Sequence, residues 1–112
     1  MDTVFKKIIE RKIPAEIVYE DDLCLAFHDA NPCAPVHILL IPKITVLDRL
    51  SSATEDHQLL LGHLLLKANK IAQTLGLNDF RIVSNNGAGA GQSVFHLHFH
   101  IMGGRNFSWP PG

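Results

Sequence analysis

The chain lacks an excess of either charge. Ten lysines and arginines against eleven aspartates and glutamates leave a formal net charge of -1, which gives no electrostatic reason to expect nonspecific binding to a nucleic-acid backbone. If a phosphate compound binds, local dipoles must hold it. Cysteine is equally scarce. The two present, Cys24 and Cys33, form no C-x-x-C pair, and no second pair exists to complete a zinc site. They are read as free thiols in a reducing compartment rather than as a disulfide. Long apolar runs are also missing. LLLGHLLL, residues 59–66, is interrupted by Gly62 and His63 and falls far short of the ~20 residues needed to cross a bilayer. The opening MDTVFKKIIERK has no continuous apolar stretch of the signal-peptide kind, and Asp2 and Glu10 argue against a transit peptide. The expectation is a cytoplasmic protein with neither membrane nor nucleic acid as partner.

What is present suits one domain over residues 1–112. A hydrophobic fraction of 46% places the chain among ordinary globular domains. Val4, Phe5, Ile8 and Ile9 recur at helical spacing and predict a short helix over 3–11, ended by Pro14. IVYEDD (17–22) and CLAFHD (24–29) read as paired strands, and NPCAP (31–35) as a turn. VHILLIP (36–42) reads as a central strand covered on both faces. Ser52 and Glu55 offer a capping box for a long helix whose buried stripe is Leu60, Leu64, Ala68, Ile71 and Leu75, with Gly76 just beyond its end. FRIVS (80–84) and VFHLHFHIM (94–102) are the last two strands, joined by the glycine-rich NNGAGAGQS. Strands that mostly follow one another imply an antiparallel sheet with helices packed on it, an α+β fold.

Three histidines stand at alternate positions in the last strand. Neighbours on a strand point to opposite faces, so His96, His98 and His100 share one face and Phe95, Leu97, Phe99 and Ile101 the other. The apolar row must be buried, most simply under the long helix. The spacing leaves three readings of the histidine row: a metal site, a catalytic site or a solvated surface. Histidines two apart lie ~7 Å apart at Cα and the outer pair ~13 Å. Two could converge on one metal, but three on a regular strand could not. A metal would need a further ligand, and His37 in the 36–42 strand is the one with a suggestive setting.

The loop before the histidines favours chemistry on a phosphate. Glycines let backbone N–H groups approach a ligand closely, and Ser93 adds a hydroxyl. This is not a P-loop, for it has no G-K-[ST] and opens into a strand. A neutral imidazole can attack phosphorus, with no metal required. The middle histidine, His98, is flanked by two imidazoles that can orient it or move a proton, which makes it the candidate nucleophile.

HLHFHIM resembles the His-φ-His-φ-His-φ-φ signature (φ hydrophobic) of the histidine triad family. NNGAGAGQSVFHLHFHIMGGR, AFHD at 26–29, PVHILLIPK at 35–43 and the terminal WPPG are similar to its Hint branch, the histidine triad nucleotide-binding proteins. The resemblance covers nearly the whole chain. It implies a homodimer in which two five-stranded sheets join into one of ten strands. It also implies a purine nucleoside phosphoramidase without cofactor or metal, with AMP, GMP and their phosphoramidates as ligands. In that picture His98 forms a nucleotidyl intermediate, His100 and His37 support it through hydrogen bonds, and His96 has a more structural part. Gly91, Gln92, Ser93 and Val94 would hold the phosphate and leaving group, with Asn85 nearby. Asp29 would accept from the ribose hydroxyls, and Phe5, Ile8, Phe27, His28 and Leu39 would line the base pocket. Without the resemblance, Phe5 and Ile8 read as core, and Asp29 as the opener of the NP turn.

The loop departs from the Hint pattern. Asn86 stands where many members carry an acidic residue, and Ala88 and Ala90 make it less polar, which bears on the leaving group. His100 disfavours the transferase branch, where glutamine takes that place. The rivals are a dinucleoside polyphosphate hydrolase, against which Gly103, Gly104 and WPPG speak; a nucleotide-binding interaction module; and a zinc protein using His37 with two of the triad.

Overall fold

The computed structural model describes residues 2–112. A short helix α1 (Val4–Ile9) precedes strands β1 (Ile17–Glu20), β2 (Cys24–His28) and β3 (Val36–Pro42). The long helix α2 (Gln58–Thr74) follows, then β4 (Phe80–Val83) and β5 (Phe99–Gly103). The five strands make one antiparallel sheet in the order β1-β2-β3-β5-β4. The fold is α+β, and β3 is central and buried along nearly its whole length.

Period-two alternation splits the sheet into two cores. Cys24, Ala26, Ile38, Leu40, Phe99 and Ile101 face α2 and pack on Leu64, Ala68, Ile71 and Ala72. Leu25, Phe27, Leu39 and Ile41 face the other way, onto Phe5 and Ile8 of α1. Leu64 is fully buried, and such a side chain contributes about 1.5–3 kcal/mol. Leu75, expected on the buried stripe, is exposed, and Ala72 takes the inner position nearest the C-terminal end of the helix. The stripe turns slightly around the axis because the period is 3.6.

The ends of α2 show one shifted signal and one kept. Ser52 does not cap it; its hydroxyl donates to Asp48 Oδ1 at 2.5 Å. The capping box lies two residues later. Thr54 Oγ1 accepts from the Asp56 amide and His57 Nδ1 accepts from the Thr54 amide, opening a 3-10 turn that runs into α2. At the other end Gly76 has φ +80. Its amide donates to Gln73 O and that of Leu77 to Ala72 O, the paired bonds of a Schellman ending. α1 is shorter than expected. Glu10 caps it and Arg11, at φ 61, turns the chain away before Pro14 is reached.

Asp21 closes the β1–β2 hairpin. Its Oδ1 accepts from the Leu23 and Cys24 amides, and its Oδ2 accepts from Tyr19 Oη at 2.8 Å and His63 Nε2 at 2.7 Å. This ends β1 at Glu20, short of its expected end at 22, and ties the hairpin to α2. Burial raises the Asp21 pKa, but the hydrogen bonds outweigh it and hold the carboxyl well below the usual range. Cys24 and Cys33 are unpaired. Burial, with Asp21 beside it, pushes the Cys24 thiol up to about 12.

Candidate active site

The last strand is shorter than its pattern. Only Phe99–Gly103 pairs, with β3 on one side and β4 on the other. Residues 94–98 are irregular; the Leu97 amide donates to Leu47 O instead of to a neighbouring strand. The expected alternation survives this. Leu97, Phe99 and Ile101 are buried under α2, while His96, His98 and His100 point to the α1 side. Phe95 drops out of the apolar row and lies half-buried beneath the Arg49 guanidinium.

Each imidazole has a backbone or side-chain partner that fixes its tautomer. His98 Nδ1 lies 2.8 Å from His96 O. A carbonyl only accepts, so Nδ1 carries the proton and the neutral ring keeps its lone pair on Nε2. Ser84 Oγ donates to His98 O at 2.9 Å and steadies that residue's backbone. His96 Nε2 donates to Pro42 O at 2.8 Å and is 2% exposed, a brace between the histidine segment and the end of β3. The Cys33 amide donates to His37 Nδ1 at 3.0 Å. The proton of the neutral His37 ring therefore sits on Nε2, 2.9 Å from His100 Nδ1 and 3.3 Å from Asp29 Oδ2. His100 in turn accepts at Nδ1 and carries its own proton at Nε2.

Burial lowers the pKa of all three triad histidines. For His98 the bond to His96 O and the charge of Asp29 work against it. For His100, burial and then the neighbouring imidazoles push it down to about 4. The row is neutral at pH 7, with a free lone pair on His98 and N–H donors on its neighbours. Asp29, His37 and His100 bring their ligand atoms within 4.8 Å of one another, yet a metal on His37 Nε2 would have to displace the proton that the Cys33 bond places there. The geometry is that of a hydrogen-bond chain.

His98 and His100 open on a cleft of about 780 Å³, a volume suited to a small ligand. Phe5, Ile8, Phe27 and Leu39 form its apolar wall. Phe5 meets the His98 ring edge-on, with centroids 5.0 Å apart. Asp29 and His28 line the same cleft, as do Ser93 and Val94. Asp29 does two things: its Oδ1 accepts from the Asn31 amide and opens the NP turn, while Oδ2 faces His37.

Five candidates do not line the cleft. His96 braces the histidine segment against the end of β3. His37 acts through His100. Gln92 is 4% exposed and spent on backbone groups. Its Oε1 accepts from the Gly87 amide at 2.8 Å, and its Nε2 donates to Asp48 O at 2.7 Å and Val94 O at 3.0 Å. Gly91, at φ 97, closes the same turn with Asn85 against it. The amides of Gly87, Ala90, Gly91 and Gln92 are consumed inside the loop. Among the described residues, those of Ser93 and Val94 donate to nothing in the chain, and both residues line the cleft.

A sequence model described as the HIT domain matches residues 10–107. An uncharacterized HIT-like protein of Synechocystis is 68% identical over 99% of this chain and 97% of its own. The chain belongs to the HIT family. A HIT family hydrolase of Legionella pneumophila superposes with a TM-score of 0.95 at 42% identity, covering 99% of this chain and 100% of that one. A histidine triad nucleotide-binding protein of Candida albicans does so with a TM-score of 0.82 at 29% identity, covering 97% and 83%.

In this HIT protein the sequence pattern finds the histidines and the cleft walls but not the groups that set their tautomers. The Cys33 amide and the Pro42 and His96 carbonyls carry no residue-type signal. They are backbone groups, which almost any residue could supply. Asn86, noted as a departure in the loop, accepts from the Ser51 amide at 2.8 Å and fastens the loop to the segment before α2.

Proposed function

We propose that the chain is a hydrolase of purine nucleoside 5′-phosphoramidates, of the Hint kind, with AMP or GMP as the nucleotide released. The observation that carries this reading is the His98 ring. Its Nδ1–H is committed to a carbonyl and its Nε2 lone pair is available on the wall of the cleft. The purine lies against Phe5, Ile8, Phe27 and Leu39 beside His28, the ribose hydroxyls donate to Asp29, and the phosphate meets the Ser93 and Val94 amides. His98 Nε2 attacks phosphorus, the P–N bond breaks, and the amine leaves with a proton taken from water. The charge on the phosphate oxygens is met by preorganised N–H donors, His100 Nε2–H among them. Water then attacks the nucleotidyl-histidine, releasing the nucleotide and restoring the neutral ring. His37 and Asp29 keep His100 in the donating tautomer. His96, Gln92, Asn85 and Gly91 support the site by shaping it. The working form is a cytoplasmic homodimer with one ten-stranded sheet.

The test is steady-state hydrolysis of adenosine 5′-phosphoramidate with EDTA present, wild type beside His98→Ala. Wild-type turnover is expected, falling by at least about 10³-fold in the variant, while AMP still binds within a few-fold. Undiminished turnover in His98→Ala removes His98 as nucleophile. Faster cleavage of a dinucleoside polyphosphate than of the phosphoramidate moves the reading to that hydrolase class.

A further inference from the structure

Directly after β5 the chain presses against the turn that holds Asp29 and Cys33. Gly103 is buried, and a Cβ there would meet both Leu77 methyl carbons at 2.8 Å. Gly104 has φ +93, and its added Cβ would lie 2.9 Å from Pro35 Cβ. These two glycines bring Arg105 to the back of the turn. Its Nε and Nη2 both donate to Cys33 O, at 3.1 and 3.0 Å, and its Nη1 donates to Asn106 O at 3.0 Å. The guanidinium also lies over the Phe107 ring, 4.3 Å from the centroid. Arg81 lies over the same ring at 5.0 Å and donates to Ser108 O at 2.9 Å. An exposed arginine with three bonds to carbonyls and a stacked ring is held far more firmly than a solvated one.

The residue so held is the one that fixes His37. The carbonyl of Cys33 takes both prongs of Arg105, and the amide of Cys33 donates to His37 Nδ1. His37 Nε2 then meets His100 Nδ1. A continuous relay runs from Arg105 through the Cys33 backbone and His37 to His100, on the wall of the cleft. Arg105 itself does not line the cleft.

We propose that Arg105 is a positioning residue. By gripping the Cys33 carbonyl it holds the Cys33 amide on His37 Nδ1, and so keeps His37 and His100 in the single tautomer pair that presents an N–H to the cleft. Its kinetic consequence rests on the phosphoramidase reading; its effect on the imidazoles does not.

The experiment uses the full chain in wild-type, Arg105→Ala and Arg105→Lys forms. Long-range proton–nitrogen spectra of ¹⁵N-histidine-labelled protein report which ring nitrogen of His37 is protonated. The same proteins are assayed with adenosine 5′-phosphoramidate. In wild type His37 is expected as the pure Nε2–H tautomer. In Arg105→Ala its nitrogen shifts move to those of a mixture, and kcat falls about tenfold with KM within twofold. Arg105→Lys keeps the charge but not the paired donation, and restores less than half of the lost kcat. An unchanged His37 tautomer in both variants overturns the proposal. So does a fall in kcat that the lysine variant fully recovers, since charge alone would then explain it. Absent wild-type turnover would remove the phosphoramidase reading, and the nitrogen spectra would still decide the role of Arg105.

Discussion

At the scale of single residues, the histidines tie stability to pH. A histidine in an unfolded chain titrates near ~6.5, while His96 and His98 are lowered and His100 lies at about 4. Between those values the unfolded chain binds protons that the folded one refuses. Stability is therefore full above about pH 6.5 and is lost as pH falls toward about 4. His100 alone accounts for on the order of 3 kcal/mol of that loss. Urea unfolding at a series of pH values is expected to show the midpoint dropping across this window. In His100→Gln the drop is expected to be shallower, because one of the reluctant protonation sites is gone. Equal slopes in the two proteins would assign the pH dependence to other groups. Burial also lowers the His98 pKa, so kcat is expected to start its acid-side decline below pH 6.5, as His98 protonates, and not at it.

Elements differ in how openly their sequence declares them. Two candidate N-terminal signals precede α2, and side-chain chemistry decides between them. Ser52 is taken by Asp48, so Thr54 caps. Thr54→Ala is expected to cost about 1 kcal/mol in chemical denaturation, and Ser52→Ala less than half of that; the reverse order would return the cap to Ser52. α2, β3 and the Gly76 ending are legible because period, length and glycine all agree there. The histidine segment is not, although its alternation is clear. Leu97 bonds Leu47 and His98 bonds the carbonyl of His96, and these long- and short-range bonds displace a strand ladder while His96, Leu97 and His98 keep their expected sides. The candidate site divides along the same line. His98 can be read from residue type and motif, and Phe5 and Asp29 only through the family resemblance. The inward folding of Gln92 cannot, because a glutamine beside a glycine loop serves a ligand or the loop equally well, and only the position of Asp48 decides.

At the scale of the whole molecule, two surfaces suit a second copy, the β4 edge and one face of α2. β4 is an edge of the sheet, paired on one side only with β5, and an edge strand offers its free N–H and C=O groups to another chain. On α2, Leu59 is 90% and Leu66 70% exposed. They stand at i and i+7 with Gly62 between them at i+3, all on one face. A Cβ at Gly62 would meet nothing within 4 Å, so the helix surface there is open to close approach. Large leucines left this bare are costly in water, and among the described residues no other element covers them. The proposed homodimer accounts for them. Light scattering at micromolar concentration is expected to give twice the chain mass of 12.4 kDa, and the double substitution Leu59→Lys, Leu66→Lys is expected to shift the protein toward the monomer. A wild-type mass of one chain would contradict the dimer. A dimer that ignores the lysines would move the interface off this face of α2 and leave the β4 edge as the place where two sheets meet.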